Sequence, residues 1–568
     1  MDHNSIVDCG DASFTNAGPI ERPGSRRTVN GLPRRSCRFL SPEELAAGES
    51  TNWHELEIRG CVRNLSPHLF TLHHLTALFL CDNELQHLPA DIAKLTSLRV
   101  LDASNNKLSS LPAELGDLST LEQLYVNNNL IRVLPCELGK LYRLKTLGLL
   151  GNPLTPEINQ IYRLPGGTMK LLQYLMCQLC ATSSVPPERK WIPIRRLRKE
   201  EGPTFTVMCY NVLCDKYASP IVYSYCPLWA LNWSYRRRAI LQEMIGHKPD
   251  VISLQEVETE QFRLFFVPEL RKYGYDGIFS PKSRARTMDE ENRKHVDGCA
   301  MFWKTDRFKL KDEHLIEFRQ LAIANAEGCQ PMLNRVMTRD NIALVAILQL
   351  QESFRSSYLS VDSSSPGVAQ AQLKVPLIVC TAHIHWHPEF CDVKLVQTMM
   401  LVQELDHLVD EIAHNHGMAP ADVPVILCGD LNSLPSSGVH EFLSKGRIRA
   451  DHCDFKEFRN QSCLQRMSAS GRESKVYTHR LALESAYDAN ILPFTNFTNY
   501  FKGVIDYVFA TPKTLIKIGL LGSIDVAWFQ QNKIVGCPHP SIPSDHFPLL
   551  VEYAFASSVV SQKTSKSA

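Results

Sequence analysis

Six short apolar stretches in the second half of the chain each lead into a residue able to hold a metal ion or move a proton. Thr206–Asn211 closes on Asn211, Val251–Glu256 on Glu256, and Leu377–His383 on His383. Val423–Asn432 closes on Gly429-Asp430-Leu431-Asn432, Gly503–Asp506 on Asp506, and Ser544-Asp545-His546 stands just before Phe547–Leu550. One Glu, three Asp, two Asn and two His make an oxygen-rich donor set with two imidazoles. That set suits a hard divalent cation and phosphoryl chemistry. Singly, each position also has an ordinary structural reading. Asp430 and Asn432 fit an Asx turn, Glu256 a surface carboxylate opening a helix, Asn211 and Asp545 caps, and His383 a structural histidine in the cluster His383–His387. Six such readings at once are harder to sustain than one shared site.

The elements that must position these residues are strands. Runs of this length with β-branched residues read as buried strands, and Asp430 and Asn432, two apart, point to one side of an extended backbone. From Phe205 to about Phe555 such runs alternate with helical stretches, for example Trp233–Ile245 and Val393–His414. That alternation predicts an α/β layered domain, interrupted by loops at 352–372 and 458–476.

The first half follows another rule. Leu75, Leu98, Leu121 and Leu144 recur every 23 residues, each opening L-x-x-L-x-[apolar]-x-x-N, with a looser first unit from Trp53 through Cys61. This is the leucine-rich-repeat pattern. One repeat cannot bury its own apolar face, so the units must stack and be capped, here by the helix expected from Met169 to Leu175. Such an array is a binding surface by default.

A chain of 568 residues is too long for one ordinary core. The expected organisation is a disordered segment 1–50, repeats over 51–181, a linker 182–203 containing Arg195-Arg196-Leu197-Arg198-Lys199, the α/β domain over 204–556 and a disordered tail 557–568. A net charge of +1 does not advertise a polyanion, so any nucleic acid must meet a local basic patch. Lys282, Arg284, Arg286, Arg293, Lys294 and His295 form one candidate, read as a mobile loop beside the site; Arg26, Arg27, Arg34 and Arg35 form another, in the N-terminal segment. The cysteines sit mostly in apolar runs, which predicts reduced thiols, and Cys177-Gln178-Leu179-Cys180 reads as a helix face. The N-terminus lacks a signal-peptide pattern, and no apolar stretch approaches membrane-spanning length.

The order Asn, Glu, His, Asp-x-Asn, Asp, Asp-His resembles that of the exonuclease–endonuclease–phosphatase superfamily over roughly Phe205 to Tyr553. The resemblance implies an αββα sandwich. It makes Glu256 the principal Mg²⁺ ligand, with Asp545 a contributor to a second ion. Asp506 would orient His546, Asp430 would position or deprotonate water, and Asn211, Asn432 and His383 would hold phosphate oxygens.

Repeats ahead of such a domain resemble the carbon catabolite repressor type of deadenylase, the nuclease subunit of the CCR–NOT complex. The strings Tyr210–Cys214, Ser280–Met288, Met332–Met337 and Phe501–Tyr507 carry that resemblance. It implies a Mg²⁺-dependent (one or two ions) 3′→5′ exoribonuclease that shortens mRNA poly(A) tails and releases 5′-AMP, in cytoplasm and nucleus. Phe501 and Pro388 match the pair that sandwiches an adenine, and Asn334 and Arg335 are candidate substrate contacts. The repeats would dock a CAF (Pop2)-type deadenylase and, through it, the NOT scaffold, so removing them should spare activity on naked RNA. His387 stands where the family usually has Asp. A catalytically idle adaptor, or another phosphodiesterase of the superfamily, is the alternative.

Overall fold

The computed structural model describes residues 54–179, 185–197, 202–354, 375–459, 461–470, 475–488 and 490–556. The expected disordered ends, the cluster Arg26–Arg35 and most of the serine-rich loop lie outside the described residues.

In the N-terminal half, five three-residue strands stack in parallel, from Glu55–Glu57 to Thr146–Gly148. Each repeat leucine points inward, and Leu75, Leu98, Leu101, Leu121 and Leu124 are wholly buried in one continuous core. The repeat asparagines stitch the turns. Asn106 Oδ1 accepts from Leu85 N (3.0 Å), while its Nδ2 donates to Leu80 O of the preceding unit (2.9 Å). Asn129 repeats this one unit later with Leu108 N and Ala103 O. Pro89, Pro112 and Pro135 each open a short 3₁₀ turn on the return side. The helices Pro156–Tyr162 and Gly167–Leu179 close the core. The second is the expected cap.

The C-terminal half is built on two packed sheets. The strands of these two sheets are β1 (Trp191–Pro193), β2 (Thr204–Asn211), β3 (Val251–Glu258), β4 (Tyr275–Pro281), β5 (Asp297–Lys304), β6 (Phe308–Glu317), β7 (Ile342–Leu350), β8 (Leu377–His383), β9 (Val425–Asp430), β10 (Glu484–Ser485), β11 (Asp506–Ala510), β12 (Leu515–Leu521) and β13 (Leu549–Phe555). One sheet runs β1-β12-β13-β2-β3-β5-β4, the other β6-β7-β8-β9-β11-β10. Alternation along the strands makes the layers. Val207 and Cys209 of β2 meet Val379, Ile426 and Cys428 of the other sheet, while Met208 and Tyr210 face the helix Trp233–His247. On the far side, the helix Cys391–His416 covers β7, β8 and β9. The layer order is αββα. Strands β2 and β3 are parallel, as are β8 and β9, and β5, β11 and β13 run against them.

Two expectations change. The stretch read as a linker is part of the seven-stranded sheet: β1 pairs with β12, and half-buried Arg189 donates to Gly522 O (2.6 Å) and Pro548 O (2.7 Å). Three alternating residues, Trp191-Ile192-Pro193, are too short a strand to stand out beside a basic run. The run Gly503–Asp506 is not a strand ending in Asp506; β11 begins there.

Candidate active site

The rim of the sandwich collects the C-terminal ends of β2, β3, β8 and β9 and the N-terminal ends of β5, β11 and β13, because the second set is antiparallel to the first. Asn211, Glu256, His383, Asp430, Asp506, Asp545 and His546 therefore meet there, all on buried or nearly buried backbone.

Asp430 is the hub. Its Oδ2 accepts from Asn211 Nδ2 (3.0 Å) and lies 3.7 Å from His383 Nε2 and 3.8 Å from His546 Nε2. Its Oδ1 accepts from Asn432 N (3.0 Å). Gly429 sets this closeness, since a Cβ there would stand 2.2 Å from Ala382 O. The Asn211 amide also donates to Glu256 Oε1 (3.1 Å), and Cys214 N donates to Glu256 Oε2 (3.2 Å). His546 Nδ1 donates to Asp506 Oδ2 (2.8 Å). Asp506, in turn, is held by its own N–H, which donates to the buried Thr495 hydroxyl (3.0 Å).

Glu256 owes its aim to a bulge. Gly298 pairs with Val257 and Cys299 with Gln255, so Glu256 is the unpaired residue, at φ +59°. Ile252, Leu254 and then Val257 face the outer layer, and the extra residue frees Glu256 from that face.

Burial and like charge tune the groups. Burial, then neighbouring Asp506, push the Asp430 carboxyl up to about 7, against the pull of His546 and the Asn211 amide. Burial alone disfavours a charged His546, but Asp506, Asp545 and Asp430 together hold it well above its ordinary range. His383 goes the other way, driven well down by burial and by Lys282. Burial, then Asp297, raise the Glu256 carboxyl. The rim thus holds a cationic His546, a neutral His383 and four clustered carboxylates.

These residues fit a divalent cation. Asp430 and Asp506 bring carboxylate oxygens within 4.8 Å of each other, whereas His546, held cationic, has no lone pair to offer an ion. Asp506 Oδ1 and Asp545 Oδ1 are buried with no hydrogen-bond partner among the described residues. Surplus negative charge on oxygen donors is what a hard cation neutralises.

Of the remaining expected residues, only Asn432 is hydrogen-bonded to the hub among the described residues. Asn432, at φ +47°, donates its amide to Ile384 O (3.1 Å), and its carbonyl accepts from Lys394 Nζ (2.6 Å). Phe501 and Pro388 are exposed. Asn334 is exposed on the turn Met332–Val336. Arg335 is engaged otherwise than as a free substrate contact. Its guanidinium grips Asp392 through two hydrogen bonds (2.7 and 3.0 Å) and lies 4.8 Å over the Phe390 ring, bracing the Pro388 turn. His387 Nδ1 accepts from Glu389 N (3.2 Å), so it caps that turn as an aspartate would.

The basic loop is corrected. Lys282 and Arg284 are tied to Asp297, Arg284 also to Asp340, Arg286 to Glu317 and Lys294 to Glu291. Residues Ser283–Thr287 and Glu290–Lys294 are helical turns, and Arg293 donates to the carbonyls of Ala285 and Met288.

Sequence reasoning missed Asp297 as a member of the rim. Burial opposes its charge, but Lys282 and Arg284 hold the carboxyl well below the usual carboxylate range. The signal was present, since Asp297 precedes the apolar run Gly298–Trp303, as Asp545-His546 precede theirs. Buried Arg236 was also missed. It donates to Leu231 O, Val212 O, Leu213 O and Pro543 O, tying the end of β2 to the segment that carries Asp545 and His546. An arginine on a helix leaves no such trace in sequence.

Comparison with known proteins agrees with this geometry. A profile of the endonuclease/exonuclease/phosphatase family matches residues 208–546, and one of leucine-rich repeat regions matches residues 54–192. The CCR4-NOT transcription complex subunit 6-like-B of Xenopus laevis is 51% identical over 528 residues, covering 92% of this chain and 94% of that protein. The CCR4-Not complex 3'-5'-exoribonuclease subunit Ccr4 of Schizosaccharomyces pombe is 40% identical over 550 residues, covering 89% of this chain and 75% of that one. Among solved structures, ANGEL2, described as a 2',3'-cyclic phosphatase, aligns with a TM-score of 0.50 at 23% identity, covering 65% of this chain and 99% of that one. At that identity the likeness concerns the fold. The chain belongs to the endonuclease/exonuclease/phosphatase family and, within it, to the CCR4-NOT subunit 6-like proteins.

Proposed function

We propose that this chain is a Mg²⁺-dependent 3′→5′ exoribonuclease that shortens poly(A) tails as the nuclease subunit of a CCR4–NOT complex. The observation that carries the reading is the hub at Asp430, where Asn211, His383, Asn432 and His546 surround one carboxyl beside Glu256.

A divalent cation held by Glu256, with Asp545 alongside, would neutralise charge developing on the phosphate. The chain supplies the rest. Asp430, with a carboxyl pushed up to about 7, accepts the proton of the attacking water at Oδ2 near neutral pH. His546, kept cationic by Asp506, presents Nε2–H to a phosphate oxygen. Neutral His383 offers a hydrogen bond without competing for the proton. Water oxygen bonds to phosphorus, the bond to the 3′ oxygen of the preceding nucleotide breaks, that oxygen takes a proton from solvent to become the new 3′-hydroxyl, and 5′-AMP leaves.

Phe501, five residues before Asp506, and Pro388, five after His383, are exposed and would clasp the terminal base, a contact worth about 1–3 kcal/mol. Stacking accepts any base, so preference for adenine needs polar contacts as well. The repeat array would dock a CAF (Pop2)-type deadenylase; exposed Leu130, Val133 and Leu150 give it apolar surface for a protein partner. The test is a 5′-labelled oligo(A) beside oligo(C), with Mg²⁺ or with EDTA. Stepwise shortening of oligo(A) only with Mg²⁺ is expected, and equal rates on both would refute the poly(A) reading.

A further inference from the structure

The repeats touch the nuclease half at Lys533, which pairs with Asp117, and at the segment around Ser224, which reaches the rim. Gln173, on the capping helix of the repeats, donates Nε2 to Ser224 O (3.1 Å), and Ser224 Oγ donates to Tyr142 O of the last repeat (3.4 Å). The Tyr142 ring meets Tyr225 edge-on at 6.0 Å, and Tyr225 meets Tyr223 in the same way at 6.1 Å. Tyr223, Tyr225, Cys226 and Leu213 form one buried cluster, against which Tyr142 packs. At its inner end, Tyr223 Oη donates to Asp545 Oδ2 (2.8 Å). Asn496 Nδ2 adds a weaker donor to the same oxygen (3.3 Å), leaving Asp545 Oδ1 buried and without a partner among the described residues.

We infer that Tyr223 is a positioning residue for Asp545, and that the leucine-rich repeats hold Tyr223 in place, making them a working part of the active site. The inference rests on the reading of Asp545 as facing the cation. Its physics is that of a carboxylate with one oxygen fixed by a buried phenol. The fixed oxygen sets the carboxylate plane, so the free oxygen is presented to the cation without further ordering. Residues 219–226 carry little regular structure of their own, and the repeats supply the surface that orders them. The repeats are then not a tether that can be removed without consequence.

The experiment uses the full chain and Mn²⁺ as probe, with the dissociation constant read by electron paramagnetic resonance of free Mn²⁺. Tyr223→Phe removes only the hydroxyl, and Gln173→Met, outside the nuclease half, removes only the donor to Ser224. Tyr223→Phe is expected to weaken Mn²⁺ binding about tenfold. Gln173→Met should shift it in the same direction by less, and the double variant should match Tyr223→Phe alone, because both act through one segment. Unchanged Mn²⁺ affinity in Tyr223→Phe would overturn the positioning role. Full additivity of the two effects, or no effect of Gln173→Met, would overturn the role of the repeats. If the wild-type chain binds no Mn²⁺, the metal-site reading itself falls, and this inference with it.

Discussion

Replacing Asp430 with Asn should abolish catalysis yet stabilise the metal-free protein at alkaline pH. The Asp430 carboxyl stands at about 7 in the fold, against an ordinary value near 4, because it is buried beside Asp506. A carboxyl raised in this way favours the folded state only while protonated. The penalty of ionising it appears as pH climbs past about 4 and is complete above about 7. At roughly 1.4 kcal/mol per pH unit, the full penalty is on the order of 4 kcal/mol. Asparagine never ionises, but its amide can accept from only one of Asn432 N and Asn211 Nδ2, which costs about 1–2 kcal/mol. The two terms nearly cancel near pH 5, and at pH 8 the variant should lead by about 2–3 kcal/mol. Urea unfolding in EDTA at the two pH values measures this by tryptophan fluorescence. Six of the seven tryptophans, from Trp191 to Trp528, lie in the nuclease half, so its transition dominates. A variant no more stable than wild type at pH 8 would refute the like-charge account of the hub.

Other outcomes follow from the same geometry. Glu256→Ala should lose divalent-cation binding and activity while keeping its circular dichroism; undiminished turnover would remove Glu256 from the site. Phe501→Ala should slow shortening of A-tracts by about 5- to 150-fold, equivalent to about 1–3 kcal/mol of stacking, without changing Mn²⁺ affinity; a changed affinity would tie Phe501 to the metal instead. Gly429→Ala should separate β9 from β8 and cut kcat with little change in KM, because its Cβ would press on Ala382 O at 2.2 Å; wild-type kcat would show that the rim tolerates the shift.

The rim was legible because burial forces strands to be apolar, so a polar residue ending an apolar run stands out. That rule found Asn211, Glu256, His383 and Asp430, while Asp545 and His546 were read from the start of their run. It misread Asp506 and passed over Asp297, since an antiparallel strand brings its first residue to the rim rather than its last. The repeats were legible through their period and their asparagines. What stayed hidden was long-range in origin. The bulge at Glu256 exists only in the pairing with β5, and the pairing of Lys282 with Asp297 turns a basic patch into a neutral buttress. The reach from Gln173 to Tyr223 spans two domains that periodicity reads separately.

The most direct test of the central claim is to follow a 5′-labelled RNA carrying a 3′ oligo(A) tail in Mg²⁺, with the released small molecules identified. The site described here predicts a ladder shortening one nucleotide at a time to the tail boundary, with 5′-AMP as product and no activity in Glu256→Ala. Internal cleavage, or removal of terminal phosphate without shortening, would contradict it.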